Sequence, residues 1–440
     1  MVSSPMAFLF FFSFLLLVST TTTLALDPAC SSSDSELSIV HVYGKCSPFA
    51  APKREPWFDT VSDMAKKDPA RLAYLSSKLV GKTAVPIASG QQVLNTGNYL
   101  VRAKIGTPGQ VMFMVLDTSN DAAWVPCAGC LGCSSTVFTS NMSSTYGSLD
   151  CTMAQCTQVR GLSCPEAGPI PCQFNQSYGG DSSFSATLSQ DSLRLALDVV
   201  PNYAFGCINS VSGKNIPPQG LLGMGRGPMS LLSQSGSLYS GVFSYCLPSF
   251  RSYYFSGSLK LGPKGQPANI KTTPLLRNPR RTSLYYVNLT GISVGKVLIP
   301  IAPELLAFNP TTGGGTIIDS GTVITRFQPT IYSALRDEFI KQLNGVQISS
   351  LGAFDTCFTG TNDALAPMIT FHFTGMDLKL PMENTLIHSS SGSLACLSMA
   401  AAPNNVNSVL NVIANLQQQN LRILFDVTNS KVGIARESCN

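Results

Sequence analysis

Val115-Leu116-Asp117-Thr118-Ser119-Asn120 and Ile317-Ile318-Asp319-Ser320-Gly321-Thr322 stand about two hundred residues apart in a chain of 440. Each runs two apolar residues into an aspartate, then into small hydroxylic, amide or glycine residues. One such cassette is a strand ending in a turn. Two imply a duplicated lobe, each half lending one carboxylate to a shared site. The order continues to repeat downstream. Gly220-Leu221-Leu222-Gly223 closes 106 residues beyond Asp117, and Val412-Ile413-Ala414-Asn415 places its alanine 95 residues beyond Asp319. An apolar strand ending in a small residue lets two backbones approach closely behind an aspartate loop.

The rest of the chain fits a turn-rich β protein. Only 12% of residues are charged and 44% are hydrophobic, with 36 glycines and 28 prolines, and the length allows two lobes with separate cores. Tyr99-Leu-Val-Arg-Ala-Lys-Ile105 alternates before the turn Gly106-Thr-Pro-Gly109, and Val111–Leu116 follows as a continuous apolar strand. Further strands are expected at Leu284–Val294, Ile369–Phe373 and Leu421–Val427. The clearest helix starts at Pro329, puts Ile331, Leu335, Phe339 and Leu343 on one stripe, and stops at Gly345. A shorter one follows Pro228, over Met229–Ser233. The net charge of +5 is dispersed, which excludes the clustered basic stripe of a nucleic-acid binder. With only three histidines, His-based metal sites and Ser-His-Asp chemistry have little to draw on.

Met6–Val18 is an almost unbroken apolar run ahead of Thr23-Leu24-Ala25. This is read as a secretory signal, residues 1–25, in preference to a signal anchor. No other run reaches the length of a membrane span, so no membrane anchor is expected. Residues 26–88 carry eight Lys or Arg against seven Asp or Glu and an amphipathic helix around Asp68–Leu79. They read as a removable pro-segment, ahead of an N-terminal lobe over 89–270 and a C-terminal lobe over 271–440. Twelve of the 14 cysteines lie from Cys127 onward, and an even, dense set in an exported chain implies disulfides. Cys127-x-x-Cys130-x-x-Cys133 has zinc-like spacing, but it has no histidine nearby and sits in an oxidising setting, so no metal is assigned. Asn141, Asn175 and Asn288 open three glycosylation sequons.

Two carboxylates a few ångströms apart cannot both ionise comfortably, so they share a proton. Such a pair can hold a water, one member taking its proton as it attacks an amide carbonyl while the other donates to the forming oxyanion. Asp117 and Asp319 are the candidate pair, and neither metal nor cofactor is required. Thr118 and Ser320 can hydrogen-bond across to the opposite loop, and Asn120 and Thr322 can donate to the carboxylates. Tyr178, in the glycine-flanked turn Ser177-Tyr178-Gly179-Gly180-Asp181, is placed to close over bound peptide. Trp124 carries an indole N–H that needs a partner if buried.

From about Asn98 to Asn440 the chain resembles the pepsin-type aspartic proteases, and within them the plant nepenthesin-like branch. The resemblance rests on both cassettes, Trp124-Val-Pro126, Tyr178, Gly220–Arg226 (Gly-Leu-Leu-Gly-Met-Gly-Arg) and Asn415-Leu-Gln-Gln-Gln-Asn420. It implies an all-β, bilobal fold of two related β-barrel-like lobes around a central cleft. It further implies an acid endopeptidase made as a zymogen, preferring hydrophobic residues around the cut bond, with Tyr178 as a flap tyrosine hydrogen-bonded to Trp124. The family's framework suggests the disulfides Cys127–Cys130, Cys133–Cys207, Cys151–Cys172, Cys156–Cys164, Cys246–Cys439 and Cys357–Cys396. A cysteine-rich insertion then spans 127–172, and each bridge is worth roughly 2–4 kcal/mol on the entropic model.

The chain departs from that pattern at Ser119 and Asn120 (Asp-Thr-Ser-Asn for the usual Asp-Thr-Gly-Ser), at Ala414 for a glycine, and in the flap order Tyr-Gly-Gly-Asp. These raise the alternative of a protease-derived cell-wall binding or inhibitor protein. A carbohydrate-active enzyme would also use two acids, but it leaves the duplicated cassettes unexplained. The expected setting is extracellular, in the apoplast or cell wall, as a monomer acting on protein or peptide substrates. The excess positive charge lies almost wholly beyond residue 88 and suggests weak retention on acidic cell-wall polysaccharide.

Overall fold

A computed structural model describes residues 99–439 apart from 134–136, 165–167, 178–181, 214–215, 217–219, 250–256, 360–362, 390 and 404–407. It also describes the strand Leu37–His41 and residues 58, 61–62, 65–66, 68–69 and 71–72. The expected signal, most of the pro-segment and the Tyr178 turn lie outside the described residues.

The described chain is mainly β, as the composition demands. Tyr99–Ile105 buries its apolar residues and exposes Arg102 and Lys104, the alternation of a half-buried strand. It pairs antiparallel with Gln110–Asp117, from Leu100↔Val115 to Ile105↔Gln110. A long hairpin, Ser183–Leu195 against Asp198–Ser212, packs beside it with two register shifts. The second lobe has two four-stranded sheets. One contains Leu289–Val294, Ile369–Phe373 and Met376–Lys379; the other contains Phe354–Thr359, Leu386–His388 and Leu394–Leu397. The lobes are joined beneath the cleft by a shared floor. Val242–Cys246 of the first lobe pairs antiparallel with Leu421–Asp426 of the second, which in turn pairs with Lys431–Arg436. Phe243 stacks on Phe425 at 4.8 Å, and the Tyr285 ring meets Phe425 at 4.4 Å. This aromatic burial ties the halves together.

The helix expected from Pro329 spans Pro329–Gln342, with Ile331, Leu335 and Phe339 buried. The shorter helix lies slightly later than expected, at Leu231–Gln234, because the Ser230 hydroxyl caps it by accepting from Ser233 N. The Leu284–Val294 strand is broken into Tyr286–Val287 and Leu289–Val294.

All twelve cysteines from Cys127 onward are paired, but four of the six expected bridges are corrected. The structure has Cys127–Cys207, Cys130–Cys133, Cys151–Cys164 and Cys156–Cys172 in place of Cys127–Cys130, Cys133–Cys207, Cys151–Cys172 and Cys156–Cys164. Cys246–Cys439 and Cys357–Cys396 stand as expected. Strand register decides the first of these. Trp124–Leu131 runs parallel to Asp198–Ser212 with Val125 opposite Cys207, which brings the Cys127 and Cys207 Cα atoms to 5.5 Å. Cys130 and Cys133 are then left to close a short turn. Within the insertion, sulfurs of Cys151, Cys156 and Cys164 lie within 4.8 Å of one another, so proximity in sequence could not choose the partners. All three are engaged in disulfides, and a metal has no thiolate there to bind.

Candidate active site

Each cassette folds as its residues dictate. The strand Gln110–Asp117 delivers Asp117 at its end, with Leu221–Gly223 parallel beside it in the register Leu222↔Leu116 and Gly223↔Asp117. The strand Gly315–Ile318 delivers Asp319, with Leu410–Ile413 parallel beside it in the register Ile317↔Val412 and Ile318↔Ile413. The duplicated order read in the sequence is thus a duplicated pair of parallel strands. Gly223 is forced, because a Cβ there would lie 2.0 Å from the Asp121 carbonyl oxygen. Ala414 follows its strand at φ −90°, an ordinary extended conformation that a side chain accepts.

The two loops lock face to face. Thr118 N–H donates to Ser320 Oγ at 3.2 Å, and Ser320 N–H donates to Thr118 Oγ1 at 3.0 Å. Ser320 Oγ in turn donates to the Leu116 carbonyl at 3.0 Å. The interlock expected of the hydroxylic residues is present. Asp117 and Asp319 are both fully buried. Asp117 Oδ1 accepts from Ser119 N–H at 2.8 Å and Ser119 Oγ at 2.9 Å, and its Oδ2 accepts from Asn120 Nδ2 at 2.7 Å. Asp319 Oδ1 accepts from Gly321 N–H at 3.1 Å, and its Oδ2 accepts from Thr322 Oγ1 at 2.6 Å. Behind the second loop, Asn415 Nδ2 donates to the Ser320 carbonyl at 2.9 Å. Gln418 Nε2 donates to the Asp319 and Ile413 carbonyls at 3.2 and 2.9 Å, while its Oε1 accepts from Tyr245.

A third charged group completes the site, and sequence reasoning missed it. Arg71, 1% exposed, places Nη2 2.8 Å from Asp117 Oδ1 and 3.4 Å from both oxygens of Asp319; it also donates to Ser119 Oγ. Burial works against a charged Asp117. The Arg71 charge and hydrogen bond, the Ser119 N–H and the Asn120 amide outweigh it, so the carboxyl sits below the usual range.

One helical turn earlier, Asp68 accepts from the Val323 and Ile324 N–H groups at 3.2 and 3.1 Å and pairs with Arg326 at 3.5 Å. Burial dominates there, and the Asp68 carboxyl is pushed up to about 6 despite Arg326 and the two N–H donors. Leu72 packs among Leu284, Tyr286, Ile317 and Val412. The signal for these contacts was Asp68-Pro-Ala-Arg71-Leu72, opposite charges one turn apart beside an apolar residue. Its partners lie 46 to 256 residues away in the chain, so nothing local revealed them.

Trp124 is buried against Phe184, ring centroids 5.1 Å apart, while its expected partner Tyr178 lies outside the described residues. Asn141 and Asn175 are exposed, and Asn288 Nδ2 donates to Thr374 Oγ1 at 2.8 Å.

Two family models match the chain: "Xylanase inhibitor N-terminal" over residues 99–263 and "Xylanase inhibitor C-terminal" over 284–436. The chain is 64% identical to "Aspartyl protease AED3" of Arabidopsis thaliana, covering 100% of both. The chain belongs to the plant pepsin-type aspartic protease family. It is also 34% identical to "Aspartic proteinase nepenthesin-1" of Nepenthes gracilis, over 87% of this chain and 86% of that one. Among solved structures, "Crystal structure of edgp" superposes with a TM-score of 0.61 at 18% identity, over 81% of this chain and 97% of that one. At that identity the likeness concerns the fold. Family membership accounts for the paired cassettes, but it leaves open what the Asp-Thr-Ser-Asn loop does. Among the described residues, no helix is long and apolar enough to cross a membrane.

Proposed function

We propose that this chain is a secreted aspartic endopeptidase made as a zymogen, with Asp117 and Asp319 as its catalytic pair. The observation that carries the reading is the single guanidinium nitrogen of Arg71, within 3.4 Å of carboxylate oxygens from both loops. A pair of buried acids held by a cation from residues 26–88 is a pair kept from water and peptide. When that segment leaves, the acids share a proton and can hold a water between them. One carboxylate takes a proton as the water oxygen bonds to the peptide carbonyl carbon, and the protonated partner donates to the oxyanion. Collapse of the intermediate breaks the C–N bond, and the leaving nitrogen takes a proton from the pair. The amine and acid products then balance the water consumed.

The interlocked Thr118 and Ser320 hold the geometry, and the donors at Ser119, Asn120 and Thr322 keep each carboxylate aimed. Leu72, seated beside Ile317, supports an apolar residue next to the cut bond. Tyr178 serves as the flap, glycans occupy some of Asn141, Asn175 and Asn288, and the mature chain works outside the cell as a monomer, weakly held by acidic polysaccharide. The test is to acidify the purified full chain and follow cleavage of a peptide library, with Asp117→Ala and Asp319→Ala as controls. Cleavage that survives either substitution refutes the assignment. A wild type inactive at every pH, with residues 1–88 removed, points to the binding protein instead.

A further inference from the structure

The second aspartate loop runs on into a carboxylate cradle that hydrolysis itself does not use. Four and five residues beyond Asp319, the Val323 and Ile324 N–H groups donate to the two oxygens of Asp68 at 3.2 and 3.1 Å. Arg326, two residues further on, adds its charge, with Nη2 3.5 Å from Asp68 Oδ2. The guanidinium is anchored within the second lobe, where Nη1 donates to the Ala401 carbonyl at 3.1 Å. Arg326 is 5% exposed, and among the described residues its Nε has no hydrogen-bond partner. Two backbone donors and a buried cation thus converge on one carboxyl group, a donor set suited to that group.

The groups seated in the cradle come from residues 26–88. Among the described residues, Asp68 is the carboxylate paired with Arg326, and Arg326 Nη2 also donates to the Ala65 carbonyl at 3.4 Å. When that segment leaves, Val323 N–H, Ile324 N–H and Arg326 Nη2 lose these partners together. Donors stripped of their acceptors cost stability until water or a new acceptor arrives. The same departure opens the cleft to peptide.

The cradle lies close to the place of the cut bond. Asp68 and Arg71 are both helical and three residues apart, a rise of about 4.5 Å, and Arg71 Nη2 bridges the two acids. An extended peptide advances about 3.3 Å per residue, so the second or third residue from the cut bond can reach the cradle with its side chain. The two lobes differ here. Arg326 stands seven residues after Asp319 and pairs with Val412; seven residues after Asp117 stands Trp124, which pairs in the same way with Leu221. An indole in place of the guanidinium offers no charge, so the preference falls on one flank.

We propose that Arg326, with the Val323 and Ile324 N–H groups, forms a specificity subsite that takes an aspartate or glutamate side chain of the substrate, two or three residues from the cut bond on one flank. This rests on the endopeptidase reading above. Asp68 is then the zymogen's own occupant of a substrate subsite, as Arg71 is the occupant of the catalytic pair. Arginine stays protonated at any working pH and offers a planar fork of donors to a carboxyl group. A glutamine side chain of the same length has one oxygen for these donors and turns an NH₂ group toward the rest. The cradle holds Asp68 although burial pushes that carboxyl up to about 6. Hydrogen bonds therefore carry part of the recognition, and it persists at acid pH.

The test uses the acid-activated enzyme and fluorogenic peptides sharing one apolar cut site, with Glu or Gln placed in turn at the first to fourth positions on each side. Expected at pH 5 is a kcat/KM for the Glu peptide about three- to tenfold above the Gln peptide, at the second or third position of one flank only. In Arg326→Gln the ratio should fall to about one, and Arg326→Lys should keep part of it. The ratio does not depend on how much of a variant folds, because both peptides report on the same active molecules. Equal cleavage of Glu and Gln peptides by the wild type at every position assigns the cradle to the pro-segment alone, which overturns the subsite and leaves the endopeptidase standing. A Glu preference that survives Arg326→Gln undiminished also overturns the subsite. No cleavage of any peptide overturns the endopeptidase and the subsite with it.

Discussion

The two aspartate loops share a backbone plan and differ most sharply at the second position after the aspartate. At Gly321 a Cβ would lie 2.4 Å from the Arg71 guanidinium nitrogen and 3.0 Å from Asp117 Oδ2. At the equivalent place in the first loop stands Ser119, whose hydroxyl donates to Asp117 at 2.9 Å and accepts from Arg71. Asp117 consequently receives three donors from its own loop (Ser119 twice, Asn120 once), and Asp319 receives two, from Gly321 and Thr322. The duplication preserved what holds the loops together and let the donors to each carboxylate diverge. A site built this way is polarised, with the first loop better equipped to carry negative charge.

The most direct way to break the comparison is to remove each acid in turn. If the loops act as one unit, Asp117→Ala and Asp319→Ala should each lower kcat by roughly 10⁴-fold or more, and the double variant should fall little further. Single-turnover assays on activated protein check this. Unequal single losses would mean that one loop carries the chemistry.

Next is the cation that spans both loops. Arg71→Ala removes one partner of a buried ion pair, a change of about 3–5 kcal/mol, so the full chain should cleave peptide at pH 5, where the wild type is silent. The sign follows from two shifts. Asp117 is depressed while Arg71 is docked, so that contribution to closure is present above the ordinary carboxylate pKa and is lost as pH falls through the docked value. Asp68 is raised to about 6 when docked, so acidification through pH 6 toward 4 favours its docking. The wild-type zymogen should therefore stay closed at pH 5–6 and open only below about 4. Opening near pH 6 would make Asp68 the trigger and contradict both signs.

Third, Gln418→Met strips the second loop of the amide that ties Asp319 to Ile413 and Tyr245. Leaving those buried groups unpartnered should cost about 1–3 kcal/mol in urea denaturation of the activated enzyme. Gly220-Leu221-Leu222-Gly223 itself carries no amide side chain, so no substitution within it reproduces the effect.

The smallest and most telling change is Ser119→Gly, which gives the first loop the glycine of the second. Losing one donor to Asp117 is worth about 0.5–1.5 kcal/mol, and its carboxyl should rise toward the usual carboxylate range. The acidic limb of the kcat/KM profile should move up in pH. An unmoved limb would show that the extra hydroxyl does not tune the pair.

Much of this was legible before any coordinates. The two cassettes, their partner strands and the Pro329 helix stood at the right places because strand and helix periods are written locally. The interlock of Thr118 and Ser320 followed from residue type alone. The disulfides of the insertion were not legible: sulfurs of Cys151, Cys156 and Cys164 lie within 4.8 Å of one another, so spacing along the chain could not choose the pairs. The residues that matter in the expected amphipathic helix are Asp68, Arg71 and Leu72, and their partners lie on both lobes.

By itself the sequence determined a duplicated β chain with one carboxylate per half, since alternation, turns and small residues act over a few neighbours. Only the tertiary structure decided that Arg71 reaches both carboxylates and that Ser119 donates where its twin is a bare glycine. Those are meetings of residues far apart in the chain, and they are set by how the lobes pack.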